Sequence, residues 1–411
     1  MRDYINRTCD LITVLKENGG VLMYYIGIDI AKFKHAVFIQ DENGEVINKE
    51  IYFDNNNEGF NQLLTILNSL DQSQQKKIGL EATGHYHMNL IAFLQKHNYD
   101  VCEINPYFIA QYRKTHSLRK NKNDFIDSEI ISNYLIEHKC QTYPREFYHI
   151  YALKSLTRER ESLVKQRSKQ LIELTNVLDI VFPEFKPFFG NKLTGTALYI
   201  LKKYISPSKI ANMNIDSYNN MKKELKRTIP YSKFLKLKEL AKNTVGFFDE
   251  LHELMLKTQL NLYLSLTETV ESYDLKIKDE VLAINPKMLG IKWFSLNYIA
   301  IIIAGFNNFR TFDSYSKCLA FAGMESGRHQ SGQVDYNQPM VKHGSGILRN
   351  ALIYGTFTLL GHYPVLYEYY LKKRNEGKSH YVALTHTAKK LLRVIFLLET
   401  KNISFDSSLL K

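Results

Sequence analysis

Four carboxylates in the first third of the chain stand where an ordinary surface acid would not. Asp29 interrupts Ile26-Gly-Ile-Asp-Ile30, a run that otherwise reads as a buried central strand. A buried carboxylate without a partner is costly, so the position calls for a hydrogen-bond donor or a cation. Glu81 repeats the pattern at the end of Ile78-Gly-Leu-Glu81. Further on, Lys122-Asn-Asp124-Phe-Ile-Asp127 puts two acids three residues apart, which on a helix share one face. Mg²⁺, or Mn²⁺ in its place, takes oxygen ligands and keeps part of its water, so four such acids suit one or two ions. Two ions close together clamp the attacking and leaving oxygens of a phosphodiester. Each acid alone has a plainer explanation, a loop hydrogen bond for a strand Asp or a solvated face for the helical pair. The set, with its flanking apolar runs, is what points to a metal site.

The elements that would position these acids alternate between strand and helix. Tyr24 to Ile30, His35 to Gln40 and Val46 to Phe53 read as three antiparallel strands, with Glu42-Asn-Gly44 as a turn. An amphipathic stretch from Asn57 to Leu70, a strand from Lys77 to Glu81, a helix near Tyr86 to His97 and a strand from Asp100 to Ile104 follow. This β-β-β-α-β-α-β order is that of an α/β ribonuclease-H-like domain, assigned to residues 24–145. Residues 1–23 form an N-terminal extension, and the biological start is either Met1 or Met23.

From Tyr151 the pattern turns to long helix. Leu153, Leu156, Leu163, Val164, Leu171, Leu174, Leu178 and Val181 recur at mostly three, four or seven residues until Pro183 stops the run. Such a coiled-coil-like helix pairs either with a copy of itself or with another helix of its own chain. The region 146–285 reads as helical and basic throughout, with no catalytic pattern in 185–280. The last region, 286–411, reads as a mostly α-helical domain containing a Gly/Ser-rich stretch up to Gly346, followed by apolar helices at Leu348 to Leu360 and Tyr381 to Leu398.

Composition narrows the partner. Lys plus Arg outnumber Asp plus Glu by 54 to 42, a formal charge of +12, which suits a polyanion such as nucleic acid. The 23 Phe and 27 Tyr are mostly core material, though some rings are available to stack on bases. The four cysteines lie far apart with no paired spacing, which disfavours zinc and disulfides and fits a reducing cytoplasm, at the nucleoid if DNA is the partner. The apolar run from Tyr298 to Phe306 is about half of the roughly 20 residues a membrane span needs, so no membrane partner is expected.

Gly27-Ile-Asp-Ile-Ala-Lys32, Leu80-Glu-Ala-Thr-Gly84 and Lys122-Asn-Asp-Phe-Ile-Asp127 together resemble the DEDD motifs of IS110-type transposases. The resemblance implies a RuvC-like N-terminal domain in which Asp29, Glu81, Asp124 and Asp127 hold the metal. Arg113, Lys114, Arg119 and Lys120 precede the last pair in a basic stretch suited to a phosphate backbone.

A second resemblance to the same family lies near the other end. Leu319-Ala-Phe-Ala-Gly323 leads through Gln330-Ser-Gly332 to Val341-Lys-His-Gly344 and Leu348-Arg-Asn-Ala-Leu352. Carried over by motif, Ser331 is the nucleophile, with Ser326 and Ser345 as alternatives, and Lys342, His343 and Arg349 neutralise phosphate. The chain departs from the family after Gly323, where Met-Glu-Ser-Gly replaces a Leu-Val-Pro-like turn, and after Gly332, where Gln-Val-Asp-Tyr-Asn-Gln-Pro replaces a Gly- and basic-rich segment. The resemblance further implies donor and target DNA, an element-encoded guide RNA, and a homo-oligomer, dimer or tetramer, in which one subunit's acids meet another's serine. The rival readings are a junction-resolving nuclease that uses the acids and water alone, and a non-catalytic nucleic-acid-binding protein.

Overall fold

A computed structural model describes residues 23–81, 86–116, 124–138, 140, 147–331, 334–342 and 344–410. The chain divides between Tyr148 and His149 into two compact units.

The first unit is a five-stranded sheet with helices on both faces. Strands β1 (Met23–Asp29), β2 (Lys34–Asp41), β3 (Val46–Asp54), β4 (Gln75–Glu81) and β5 (Val101–Ile104) lie in the order β3-β2-β1-β4-β5. The first three are antiparallel neighbours, and β4 and β5 add to β1 in parallel. Strand β1 is central, so Ile26 and Ile28 are fully buried. Helices α1 (Asn57–Ser69) and α2 (His87–Lys96) alternate with the strands, and α1 starts where the Asn56 side chain accepts from the Gly59 amide at 2.8 Å. Helices α3 (Pro106–His116) and α4 (Asp124–Glu137) follow β5, and α4 lies across β1, β2 and β4.

Glycine admits α4 to the sheet. A Cβ on Gly27 would stand 2.1 Å from the Ser128 carbonyl oxygen, and one on Gly79 would stand 2.7 Å from the Leu135 side chain. Backbone therefore meets backbone at Gly27. Polar pins fix the depth: the Ser132 hydroxyl donates to the Tyr25 carbonyl at 3.0 Å, and Gln40 donates to Ser132 and Asn133 at 2.9 and 2.8 Å.

The second unit contains two cores joined by a pair of long helices. Helix α5 (Phe147–Val181) is followed by the short α6 (Phe185–Phe188), then α7 (Gly195–Tyr204), α8 (Pro207–Ala211), α9 (Ile215–Glu224) and α10 (Tyr231–Lys242). Helix α11 (Glu250–Ile284) then returns antiparallel to α5, as shown by the Arg160–Asp274 ion pair and the Gln170–Gln259 contact. Asp249 caps its start by accepting from the His252 amide, and left-handed Asn285 ends it before Pro286. Leu174, Leu178 and Val181 of α5 join Leu256 and Leu260 of α11 in the core of the α6–α10 lobe. At the other end Leu153, Ile277 and Val281 enter the core of the last domain. The apolar stripe on the first long helix thus finds its partner within its own chain.

That last domain is built from α12 (Leu296–Phe306), α13 (Tyr315–Phe321), α14 (Gly346–Leu360), α15 (Pro364–Asn375) and α16 (His380–Lys401). Between α13 and α14 the stretch read as Gly/Ser-rich is an antiparallel hairpin, β6 (Ser326–Ser331) and β7 (Val334–Met340). Among the described residues no helix is long and apolar enough to cross a membrane.

Candidate metal centre and serine hairpin

Sheet register places two of the acids side by side. Strands β1 and β4 pair from Met23↔Gln75 to Ile28↔Leu80, so Asp29 and Glu81 are the next positions on each, at the carboxyl ends of adjacent parallel strands. Side chains alternate across a strand, hence Asp29 points to the same face as Gly27 and Glu81 to the same face as Gly79. Those two glycines are the ones pressed by α4. Both acids therefore share the face that α4 covers.

Helix α4 runs so that its first turn reaches the same end of the sheet. Ser132 bonds to Tyr25, and Ser128 abuts Gly27. One turn earlier, Asp124 opens the helix and Asp127 follows on it, towards the strand ends that carry Asp29 and Glu81. Asp127 is buried, with 6% of its surface exposed. Its partner is Arg113 of α3, at 2.6 Å between Oδ1 and a guanidinium nitrogen. The pair is close without being a well-aligned hydrogen bond: among the described residues, neither Asp127 Oδ1 nor Arg113 Nε has a properly oriented partner. A buried carboxylate oxygen left in that state suits a cation.

Among the described residues, no three His, Cys, Asp or Glu side chains already converge at metal-ligating distance. Arg113, expected on nucleic acid, holds a candidate ligand instead. Lys114 is exposed, as the basic reading requires, and Arg119 and Lys120 lie outside the described residues. The sequence reading missed the two glycines, although Gly-Ile-Asp29 and Gly-Leu-Glu81 carry the same signal: a residue without a side chain two before each acid, on the same face.

At the other end of the chain Ser331 closes strand β6 and pairs with Val334 of β7 across the hairpin turn. The two alternative serines have other work. Ser345 is the N-cap of α14, its hydroxyl accepting from the Leu348 amide at 3.3 Å. Ser326, at the root of the hairpin, accepts from Lys389 Nζ of α16 at 3.1 Å. Burial pulls the Lys389 amine below the usual lysine range, with Glu325 opposing the shift. Arg349 is half-buried and donates to the Gly344 carbonyl at 3.1 Å, Lys342 is exposed, and His343 lies outside the described residues. The Lys389–Ser326 tie left no mark in the sequence, because 63 residues separate the two.

Known proteins match both ends. Residues 26–183 match a family described as Transposase, of the IS110 DEDD type, and residues 291–371 match the family described as Transposase IS116/IS110/IS902. Together the matches cover more than half of the chain, including all four acids and Ser331. The chain is similar to a protein named for the transposase of the IS117 mini-circle in Streptomyces coelicolor, 28% identical over 200 residues, 47% of this chain and 48% of that protein. The pilin gene-inverting protein of Moraxella lacunata is 22% identical over 390 residues, 93% of this chain and 97% of that one. Its counterpart in Moraxella bovis is 30% identical over 152 residues, 36% of this chain and 46% of that one. The alignments thus span about half the length of the IS117 and M. bovis proteins and nearly all of the M. lacunata protein.

Proposed function

We propose, from a chain that belongs to the IS116/IS110/IS902 family of transposases, that it is a DNA recombinase with a carboxylate centre on a ribonuclease-H-like sheet and a serine nucleophile in its last domain. One observation carries the reading: two Gly-x-acid strand ends lie side by side beneath the helix that bears the other two acids. A sheet that admits the helix backbone at Gly27 and the Leu135 side chain at Gly79 supports a reading in which the four acids gather at one end.

Asp29, Glu81, Asp124 and Asp127 would hold Mg²⁺ or Mn²⁺, which would supply charge neutralisation for the phosphodiester during attack. Attack by the Ser331 hydroxyl oxygen forms a phosphoserine bond to the 5′ phosphate and breaks the bond to the 3′ oxygen. The serine gives up its proton, and the departing 3′ oxygen takes one. Reversal by a 3′ hydroxyl of another strand reseals the DNA with no net loss of phosphodiester bonds, which water as nucleophile could not do. Lys342 and Arg349 lie within the segment that would meet the phosphate. The inversion named for the Moraxella relatives and the transposition named for the Streptomyces one both require this balance of bonds broken and remade. The family resemblance adds a guide RNA and an oligomer in which acids and serine come from different subunits.

Labelled DNA incubated with protein and Mg²⁺, then separated under denaturing conditions, tests the reading. A covalent species carrying the Ser331 peptide is expected, lost in both Ser331→Ala and Asp29→Asn while DNA binding persists. Cleavage by Ser331→Ala at the wild-type rate, with no adduct in the wild type, would leave a metal-dependent nuclease in its place.

A further inference from the structure

Aromatic side chains form a continuous exposed line across three helices of the last domain. Tyr354 of α14 meets Tyr381 of α16 edge-on, with ring centres 6.2 Å apart and the two hydroxyls in contact. Tyr381 lies 6.3 Å from His380, and His380 stands edge-on to Phe357 of α14 at 6.0 Å and to Tyr370 of α15 at 5.7 Å. The Tyr370 hydroxyl is 2.7 Å from His380 Nδ1, and Tyr367 stacks 6.3 Å beyond it. Four of these rings are not core, with Tyr354 41% exposed, Phe357 50%, Tyr367 47% and Tyr381 51%, whereas Tyr370 packs partly against the core. An exposed ring forgoes part of the stabilisation of burial, so a run of them is a candidate contact surface.

The segment that carries Tyr367, Tyr370, His380 and Tyr381 is cationic. Between Pro364 and Arg393 there are seven Lys or Arg residues against two Glu, Glu368 and Glu376. Arg374 continues the helical row of Tyr367 and Tyr370, and its guanidinium donates to the Lys378 carbonyl at 2.8 Å, holding the turn into α16. Lys373 and Lys390 lie over the Tyr369 ring at 5.6 and 4.8 Å. Lys373 is paired with Glu376, whereas Lys372 and Lys378 are exposed.

The geometry points to a platform for an unpaired DNA strand, whose bases stack on the exposed rings while its phosphates meet Arg374 and Lys378 beside them. Exposed rings with cations at their edge match a strand whose base faces and backbone are both accessible. A duplex hides its base faces, and a protein partner of ordinary composition does not call for so many like charges. DNA as the substrate rests on the recombinase reading above. Strand exchange separates base pairs around the cut, so a surface that holds the freed strand would keep it from re-pairing early.

Full-length protein in EDTA, which withholds divalent ions, is titrated by anisotropy with labelled oligo-dT, an abasic strand of equal length, duplex DNA and oligo-rU. Oligo-dT is expected to bind more tightly than the abasic strand. Phe357→Ala, Tyr381→Ala and Tyr367→Ala should each weaken oligo-dT about tenfold while leaving duplex and abasic binding unchanged. Lys378→Gln should weaken all probes and lower the salt slope. Unchanged oligo-dT affinity in the three ring variants overturns the platform, as does an equal loss for duplex. Tighter binding of oligo-rU than of oligo-dT overturns its assignment to DNA, and a change in sedimenting mass on ring removal would make the surface a contact between copies of the chain. Because binding is read without chemistry, a missing serine adduct would defeat the recombinase reading and leave this measurement standing.

Discussion

Asp29 and Glu81 occupy inner strands of a five-stranded sheet, whereas Ser331 ends one strand of a two-stranded hairpin. On the sheet, position follows from register: six consecutive pairs fix β1 against β4, and a helix closes on glycine above them. A two-stranded ribbon has no such frame, because it is marginally stable alone and takes its place from what it packs on. Here that support includes the Lys389–Ser326 tie at its root and the Ser345 cap just beyond it. Like charges must be gathered against their repulsion, and a rigid frame suits that task. A nucleophile of the kind proposed for Ser331, which would meet a strand, attack it and release it, would suit a more adjustable mount.

Four substitutions would sharpen or break this contrast. Gly27→Val should have the largest effect on folding, because its Cβ would overlap the Ser128 carbonyl at 2.1 Å. Backbone cannot yield as a side chain does, so the cost should exceed the roughly 1–3 kcal/mol of ordinary overpacking, and calorimetric Mn²⁺ binding should be lost with it. A wild-type urea midpoint for this variant would break the register argument.

Next, Arg113→Gln should lower stability by about 1–3 kcal/mol in EDTA by stripping a buried carboxylate of its counter-ion, with the part-exposed arginine keeping the value towards the lower end. Added Mn²⁺ should then raise the melting temperature more in the variant than in the wild type. An equal rise in both would mean that Arg113 and the ion do not compete for Asp127.

Lys389→Met should move stability less, by about 1 kcal/mol or below, since it loses one hydrogen bond but also removes a half-buried charge. The clearer sign is in the pH profile. Burial lowers the folded-state pKa of Lys389, so the unfolded chain binds more protons between that value and the ordinary lysine pKa. Stability should rise with pH across this window in the wild type and rise less in Lys389→Met, read from urea midpoints at increasing alkaline pH. Ser331→Ala should be the mildest, within about 0.5 kcal/mol of wild type, though on the proposed mechanism it would remove the adduct.

Strands β1 and β4 were legible because Ile26-Gly-Ile28 and Ile78-Gly-Leu80 are apolar runs, each ended by a single acid. The second long helix was harder to see as one element. Leu260-Asn-Leu-Tyr-Leu-Ser-Leu-Thr267 alternates with the period of a strand, yet lies within α11, where the antiparallel partner α5 decides the matter. Leu174 looked like one rung of a self-associating stripe, but it is fully buried in the lobe core, so a charge there would test folding. Ile172, 60% exposed on the same helix, is the position at which a charge would report self-association. Helix α15 escaped notice because its Tyr, Lys and Arg residues give it little apolar periodicity. The Arg113–Asp127 and Lys389–Ser326 contacts are tertiary, and no local pattern announces them.

The paired long helices also act as a ruler. At 1.5 Å per residue, the 35 residues of α11 span about 52 Å, which sets the separation of the α6–α10 lobe from the last domain. A tilt of about 5° at one end would sweep the far lobe through roughly 4–5 Å on such an arm. Excising seven residues from each helix would shorten the arm by about 10 Å while returning the facing side chains nearly to register. The reach of this protein is therefore a length written in whole helical turns, adjustable in steps without redrawing either end.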